Sequence, residues 1–259
     1  MTEPIDPELF RGRVLATAQA AFPELSISAP PTEWDLLVVG GTQIGLANMR
    51  AKFQLSEGSE EELEAIVRDH LAALTQVEGD LPPFGEARQR LRPQIMPMDF
   101  AVEMPLIAFP FAPLLMVGLV LDSERSYQYL RPEHAEKWGR THLQLLDEAL
   151  ANLDRASDGI GLHYSENEES KIIFAQQADG FDAARVLMPK LRQLAADRLG
   201  APFYFAIPNR DFLMMWNLEA GAEFQETLRN QIALDFGCQP YPLSPKVFTL
   251  SAEGEIHEA

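Results

Sequence analysis

The chain has 259 residues, of which 46% are hydrophobic and 23% are charged, so it can bury a core without a disulfide framework. Its 39 acidic and 21 basic side chains give a formal charge of -18, which would repel a phosphate backbone and argues against nucleic-acid binding. The same charge would steer the chain towards basic partners, although an ordinary solvated acidic surface is the favoured interpretation, and composition identifies neither a partner nor the oligomeric state.

Cysteine content and the uncharged segment of the chain bear on its location. Cys238 is the single cysteine, and the first ten residues, MTEPIDPELF, lack the basic and apolar pattern of a signal peptide, so we expect a reducing cytoplasm. Residues Pro105 to Leu121 carry no charge but contain three prolines, which break a helix. We therefore expect a buried strand from Leu114 to Leu121 and no membrane span.

The first third of the chain reads as helix, hairpin, helix. Apolar spacing predicts a helix from Pro7 to Phe22, and two apolar runs, Trp34 to Val39 and Ile44 to Phe53, flank a glycine-rich turn typical of a hairpin. Ser59 followed by Glu62 is a capping box that predicts the start of the second helix.

The remainder repeats the combination of hairpin and helix. A short basic helix is expected at 86–91, and the turn 122–125 joins the strand 114–121 to a strand at 126–130. Further helices are predicted at 141–153, 189–199 and 222–236, with a helical turn at 181–187. Strands are predicted at 171–175, 203–207, 212–216 and 246–250, followed by a frayed acidic tail.

This order of elements predicts an α+β fold. Short turns require antiparallel pairing, and one helix per hairpin would cover mainly one face of each sheet. We expect a helix-hairpin-helix lobe at 1–80, a proline-rich connection at 81–113 and a hairpin and helix lobe at 114–259. The two lobes could also pack as one domain.

Several phrases of the chain resemble a known family. They are RPQIMPMDF at 92–100, LVLDSERSYQYL at 119–130 with EALANL at 148–153, DGFDAARVLMPKL at 179–191 and APFYFAIPNRDFLM at 201–214. Together they are similar to the YtpQ-like family of uncharacterised bacterial proteins, over roughly Phe53 to Phe236. The resemblance implies a bacterial cytosolic protein that shares its relatives' fold, and it transfers no activity and no catalytic residue.

Motifs for common cofactors and metals are not found in the sequence. The run GGTQIG at 40–45 lies between two predicted strands, where a phosphate loop would join a strand to a helix. The five histidines show no metal-ligand spacing, and no GxSxG motif occurs. We therefore expect no cofactor and no histidine metal site.

Arginine and carboxylate residues beside turns are the remaining candidates for a site. They fall into three groups, which are Asp179, Asp182 and Arg185; Asn209, Arg210 and Asp211; and Arg92 with Asp99. One interpretation is structural, a helix cap with a salt bridge. The other is that Arg92, Arg185 and Arg210 converge on a planar anion, because a guanidinium offers paired donors in a fixed fork.

Two classes of function remain open. We favour a non-enzymatic binding or adaptor protein that acts through protein-protein contacts, with Phe109 and Phe111 expected near the surface. The alternative is a hydrolase or transferase with an arginine and aspartate anion site, using a divalent metal held by Asp179, Asp182 or Asp211.

Overall fold

The structure is a computed structural model that describes residues 5–30, 35–40, 42–75, 81–122 and 127–259. It divides into two compact units, one formed by residues 1–80 and 238–240 and the other by residues 81–237 and 241–259. Within the described ranges, every helix is too short or too polar to cross a membrane.

The first unit packs three helices with a small antiparallel sheet of order β1-β2-β3. Its elements are α1 (Pro7–Ala21), β1 (Ile27–Ser28), β2 (Leu36–Val39), β3 (Thr42–Gly45), α2 (Ala47–Leu55) and α3 (Glu60–Thr75). The predicted capping box is confirmed, since the amide of Ser59 donates to Glu62 at 2.9 Å and the amide of Glu62 donates to Ser59 Oγ at 3.2 Å. Phe10, Met49 and Leu63 contribute one side chain from each helix to the core of this unit.

The predicted strand from Ile44 to Phe53 is wrong beyond Gly45, because α2 begins at Ala47. Met49 and Phe53 lie four residues apart and are both buried, which is the spacing of one helical face. Most residues of this segment are good helix formers, and Ile44 is its only β-branched residue. Trp34, at the start of the preceding predicted strand, lies outside the described residues.

The second unit contains two antiparallel sheets. The four-stranded sheet consists of β4 (Leu91–Pro97), β5 (Ala108–Ala112), β6 (Leu115–Asp122) and β7 (Tyr127–Tyr129). The six-stranded sheet has the order β13-β12-β10-β11-β9-β8, from β8 (His163–Glu166), β9 (Lys171–Ala175), β10 (Phe203–Ala206), β11 (Leu213–Asn217), β12 (Phe248–Leu250) and β13 (Ile256–Glu258). The helices are α4 (Phe84–Ala87), α5 (Met98–Glu103), α6 (Pro132–Trp138), α7 (His142–Ala156), α8 (Pro189–Leu199) and α9 (Ala222–Cys238), with 3₁₀ helices at Arg88–Arg90 and Ala183–Leu187.

The α+β class with antiparallel sheets is confirmed. Alternate residues of the six-stranded sheet enter two different apolar clusters, Phe205 and Met215 on one side and Met214 and Trp216 on the other. Helix α8 contributes to the first cluster and α9 to the second. This sheet therefore has a helix on each face, where the sequence predicted helices mainly on one face.

Residues 81–113 do more than connect two lobes, because they supply strands β4 and β5. The whole length of β4 pairs with β6, from Leu91 opposite Leu121 to Pro97 opposite Leu115. Phe109 and Phe111, which the sequence placed near the surface, are half-buried against two apolar clusters. The prolines of this segment are thus compatible with strands of a small sheet.

Most predicted elements of the last third are confirmed, but the frayed tail is wrong. Residues Ile256–Glu258 form β13 and pair with β12. Gly254 turns the chain with φ of +87°, and the hydroxyl of Ser251 accepts the backbone N–H groups of Glu253 and Glu255, both at 3.2 Å. The predicted turn at 122–125 lies almost entirely outside the described residues.

Candidate functional site

The first predicted cluster is built around Arg185 by a turn and a 3₁₀ helix. Gly180 occupies the turn with φ of +88°, a backbone conformation that a residue with a Cβ seldom adopts. Asp179 precedes it and accepts the backbone N–H of Phe181 at 3.0 Å. The 3₁₀ helix Ala183–Leu187 then places Arg185 beside the carboxylates of this turn.

The guanidinium of Arg185 is almost fully buried and is paired with two carboxylates. Its Nη1 donates to Asp182 at 2.8 Å and to Asp179 at 3.0 Å, and its Nη2 donates to Asp179 at 2.5 Å. Its Nε donates to the hydroxyl of Ser157 at 3.1 Å. A buried charge is stable only when it is paired and hydrogen-bonded, so this network holds the turn in place.

Asp182 is fully buried and completes the network. Its second oxygen accepts the backbone N–H groups of Gln177 and Ala178, both at 2.8 Å. Burial raises the pKa of Asp182, whereas for Asp179 the effect of burial is outweighed by the hydrogen bond and charge of Arg185, which lower the pKa of that carboxyl. All four carboxylate oxygens already accept a hydrogen bond from the protein.

The second predicted cluster is built around Arg210. Its Nε and Nη2 donate to the two oxygens of Asp211 at 3.1 and 3.0 Å, and its Nη1 donates to the hydroxyl of Tyr127 at 3.2 Å. The carbon of the guanidinium lies 3.6 Å from the ring centre of Tyr241. Asn209 accepts the backbone N–H of Asp211 at 3.0 Å and so closes the turn.

The two clusters are neighbours. The backbone N–H of Ala183 donates to the carbonyl of Arg210 at 3.0 Å, and a Cβ on Gly180 would lie 3.7 Å from the Nε of Arg210. Gln94 donates to the carbonyl of Gly180 at 3.3 Å. The structure thus brings together six of the eight predicted site residues, but carboxylates occupy both Arg185 and Arg210.

Asp99 and Arg92 lie apart from these clusters. Asp99 is in the first turn of α5, where it accepts the backbone N–H of Phe100 at 2.8 Å. Arg92 is on β4, and its Nη1 donates to the backbone carbonyls of Gln89 and Leu91 at 2.8 and 2.9 Å. Among the described residues, no carboxylate forms an ion pair with Arg92.

Arg92 instead lines an open cavity of about 710 Å³ between β4, α7 and the segment around the first 3₁₀ helix. We call it the arginine cavity. It contains three arginines and no carboxylate, and its lining residues are Gly85, Arg88, Gln89, Arg92, Asn152, Arg155 and Ala156. A local excess of positive charge in a chain of net charge -18 is typical of a site that binds an anion.

Asn152 fixes the geometry of the arginine cavity. Its buried amide donates to the carbonyls of Arg88 and Leu91 at 2.7 and 2.9 Å, and its oxygen accepts a hydrogen bond from Arg155 Nη2. Asn152 and Arg155 are three residues apart on α7 and therefore lie on the same helical face. One side chain thus positions the backbone beside Arg88 and the guanidinium of Arg155.

The three arginines of the cavity differ in their electrostatic surroundings. Arg88 forms a two-bond ion pair with Glu148, at 2.8 Å from Nε and 2.7 Å from Nη2. Arg155 has no carboxylate partner in the described part of the chain. Burial lowers the pKa of Arg92, the negative charge of Asp122 opposes this effect, and the positive charge of Arg155 adds to it. An anion in the cavity would relieve the repulsion between these two guanidiniums.

Sequence reasoning missed Arg88, Asn152 and Arg155. The local signal for the first was the run Arg88-Gln-Arg-Leu-Arg92, which places basic residues on a short helix and the following strand. The packing of α7 against this run joins residues about 60 positions apart. No spacing within the sequence indicates that contact.

Metal binding finds no support in these clusters. Among residues whose side chains are described, no three His, Cys, Asp or Glu side chains form a group that could hold a metal ion. The proposed metal ligands Asp179, Asp182 and Asp211 are each paired with an arginine.

Comparison with known proteins gives distant relatives. No protein-family model and no solved structure matches the chain. A UPF0354 protein of Bacillus cytotoxicus is 23% identical over 180 residues, and UPF0354 proteins of Bacillus cereus and Bacillus anthracis are 23% identical over 186 residues. The chain is similar to the UPF0354 proteins. Each alignment covers 68% of this chain and 63% of the relative, so the match spans less than two thirds of the relatives' length.

The UPF0354 likeness confirms the resemblance to the YtpQ-like family that the sequence phrases indicated. UPF0354 is a family of uncharacterised proteins, and the names of these relatives state no activity. Function is therefore inferred from the arginine cavity and the surfaces around it.

Proposed function

We propose that the chain is a non-catalytic binding protein that holds an anionic ligand in the arginine cavity. The observation that carries this proposal is the lining itself, which contains three arginines and no carboxylate around a space of about 710 Å³. That volume lies within the range of about 300–1,000 Å³ typical of small-molecule sites.

The lining favours binding over catalysis. A general base or a nucleophile is usually a His, Asp, Glu, Ser, Cys, Lys or Tyr side chain, and the cavity lining contains none of these. The amide of Asn152 makes three hydrogen bonds to the protein, which use both of its donors. What the cavity offers a ligand is positive charge and hydrogen-bond donors.

This proposal is tested by isothermal titration calorimetry of the purified chain with inorganic phosphate, sulfate, citrate and acetate. We expect saturable binding of at least one of them. Arg155→Gln should weaken it by roughly tenfold to a hundredfold, because a hydrogen bond to a charged group contributes about 1.5–3 kcal/mol. Arg155 is exposed, so this change should leave folding intact.

Arg229→Gln is the matched control. Arg229 is an exposed arginine on α9, outside the cavity lining, and its replacement removes the same charge from the chain. Equal affinities of wild type and Arg155→Gln, or no binding of any of the four anions, would overturn the proposal.

An exposed apolar patch favours a second candidate, docking of another protein, as expected for an adaptor. The backbone N–H of Met98 donates to the carbonyl of Leu114 at 2.9 Å, which brings α5 beside the turn between β5 and β6. The side chains of Met98, Val102 and Leu114 are 41%, 78% and 69% exposed. Apolar residues grouped at a surface often mark a protein-binding site.

The second candidate is tested by comparing the proteins retained from a bacterial lysate by wild type and by Val102→Asp with Leu114→Asp. A partner retained only by wild type supports docking on this patch. Leu143→Asp is the control, because Leu143 is 65% exposed on α7, away from α5 in the sequence. Identical retention by wild type and the double variant would exclude the patch.

A further inference from the structure

We propose that the ligand of the arginine cavity is a small-molecule phosphate monoester, bound as its dianion. This inference rests on the proposed function and adds the chemical class of the ligand to it. It follows from the charge, the free donors and the size of the cavity.

The charge of the cavity matches a dianion. Arg88 is neutralised by Glu148, whereas Arg92 and Arg155 have no carboxylate partner in the part of the chain that the structure describes. Two guanidiniums of the cavity therefore form no ion pair there, although the charges of Asp122 and Asp179 act on Arg92. A phosphate monoester carries about two negative charges above its second pKa of about 6, whereas a sulfate ester or a monocarboxylate carries only one.

The hydrogen-bond donors of the cavity also suit a phosphate group. Arg92 uses Nη1 for two backbone carbonyls, and its Nε and Nη2 edge has no acceptor among the residues that the structure describes. Arg155 uses Nη2 for Asn152, and within the same part of the chain its Nε and Nη1 have no acceptor. A guanidinium edge of this kind pairs with two phosphate oxygens, and the three terminal oxygens of a monoester can contact two such groups.

The size of the cavity indicates an organic group beyond the phosphate. A volume of about 710 Å³ is far larger than a bare phosphate ion requires. The remaining lining is uncharged, and a Cβ on Gly85 would meet no atom within 4 Å; it consists of Gly85, Gln89, Asn152 and Ala156. This part of the cavity is open to an uncharged group attached to the phosphate.

Negative charge around the cavity disfavours polyphosphates and nucleic acid. Asp122 and Asp179 both act electrostatically on Arg92, and Glu148 lies behind Arg88. A ligand with three or more negative charges would meet these carboxylates and the net charge of -18 after neutralising the two available arginines.

The experiment compares methyl phosphate with methyl sulfate, which have similar shapes but different charges. Calorimetric titrations at pH 8 should give at least roughly tenfold tighter binding of methyl phosphate, and at pH 5, where its second proton is bound, this advantage should largely disappear. Glu148 and Asp179 have lowered pKa values and stay ionised over this range, and the lining has no histidine. The pH response therefore reports the ligand's own proton.

Variants separate this inference from the proposed function. Arg155→Gln should abolish the preference for methyl phosphate at pH 8, and Arg229→Gln should keep it. If both esters bind wild type equally and Arg155→Gln weakens both, the anion site stands and the phosphate inference fails. If neither ester nor any of the four anions binds wild type, the proposed function fails as well.

Discussion

Arg185 and Asp182 form an ion pair at 2.8 Å in which the two side chains are only 1% and 0% exposed, three residues apart in the chain. The carboxylate also accepts two backbone N–H groups, so its loss would leave these two donors without their acceptor and Arg185 with the half-exposed Asp179 as its remaining partner in this turn. We expect Asp182→Ala to lower the free energy of unfolding by about 3–5 kcal/mol, as for other broken buried pairs. Urea denaturation followed by circular dichroism measures this change.

Asp179→Ala is the comparison for that prediction. Asp179 also pairs with Arg185, but its side chain is 43% exposed, so water can replace part of the interaction. Its replacement should cost clearly less than that of Asp182. Equal costs would contradict the distinction between a buried and a half-exposed partner.

The turn around Arg210 predicts a difference between two substitutions. Arg210→Lys keeps the charge but loses the two-bond contact with Asp211 and the planar stacking on Tyr241, whereas Arg210→Ala loses both charge and contacts. We expect both variants to be less stable than wild type, with Arg210→Ala losing about 2–4 kcal/mol and Arg210→Lys less. Thermal unfolding at neutral pH should rank wild type above Lys and Lys above Ala. An unchanged melting temperature in Arg210→Ala would show that Arg210 does not hold this turn.

His134 gives a prediction for pH. It is buried near the start of α6, its Nδ1 accepts the backbone N–H of Arg131 at 3.2 Å, and burial lowers the pKa of this imidazole. Below about pH 6.5 the unfolded chain binds a proton that the folded chain does not, so the stabilising contribution is complete above that pH and is lost as pH falls through the folded pKa.

His134→Gln tests the pH prediction. Glutamine suits this position because it can accept the same backbone N–H in a capping box, and it does not titrate. Between pH 8 and pH 5.5 the wild type should lose more free energy of unfolding than His134→Gln. Parallel curves for the two proteins would rule out this role of His134.

Asn152 gives a prediction about how the arginine cavity is held. Asn152→Ala removes the donors to the carbonyls of Arg88 and Leu91, and we expect a loss of about 1–3 kcal/mol in unfolding free energy because two hydrogen bonds of about 0.5–1.5 kcal/mol each are lost. Asn167→Ala is the control, because Asn167 accepts two backbone N–H groups in an exposed turn. Chemical denaturation should show a distinctly smaller loss for that control.

Local signals predicted much of the second unit. α8 runs from Pro189 to Leu199 as expected, because proline favours the first helical position and Gly200 follows the last. β9 at Lys171–Ala175 was also predicted with its observed bounds. In both segments each end is marked by residues at that end, so the local sequence is enough to predict the bounds.

Two predictions were wrong, the strand after Gly45 and the frayed tail, because a competing local pattern was present in each segment. The segment after Gly45 carries apolar residues at spacings of three and four as well as in alternation, and the burial of Met49 and Phe53 against the first unit's core decides for a helix. The acidity of the tail predicts a frayed end, whereas Gly254 and Ser251 are typical turn residues that indicate a final hairpin.

The candidate site was only partly predictable. Charge pairs within one turn, such as Asp182 with Arg185, follow from spacing in the sequence. The arginine cavity depends on α7 packing across the segment before β4, where Asn152 contacts Arg88 and Leu91. Contacts of this kind depend on the tertiary structure.

Strand β11 is buried on both faces, so burial alone does not fix its alignment with β9. In a strand with one solvent-exposed face, a register shift of one residue exposes apolar side chains and is therefore unfavourable. Residues Leu213–Trp216 would bury apolar side chains in either register. Asn217 breaks this ambiguity, because its amide accepts the N–H of Lys171 at 2.8 Å and donates to the carbonyl of Glu169 at 3.0 Å. A slipped alignment would leave this buried amide unsatisfied. A single polar side chain thus selects one alignment of β11 with β9 from two that would bury apolar side chains equally well.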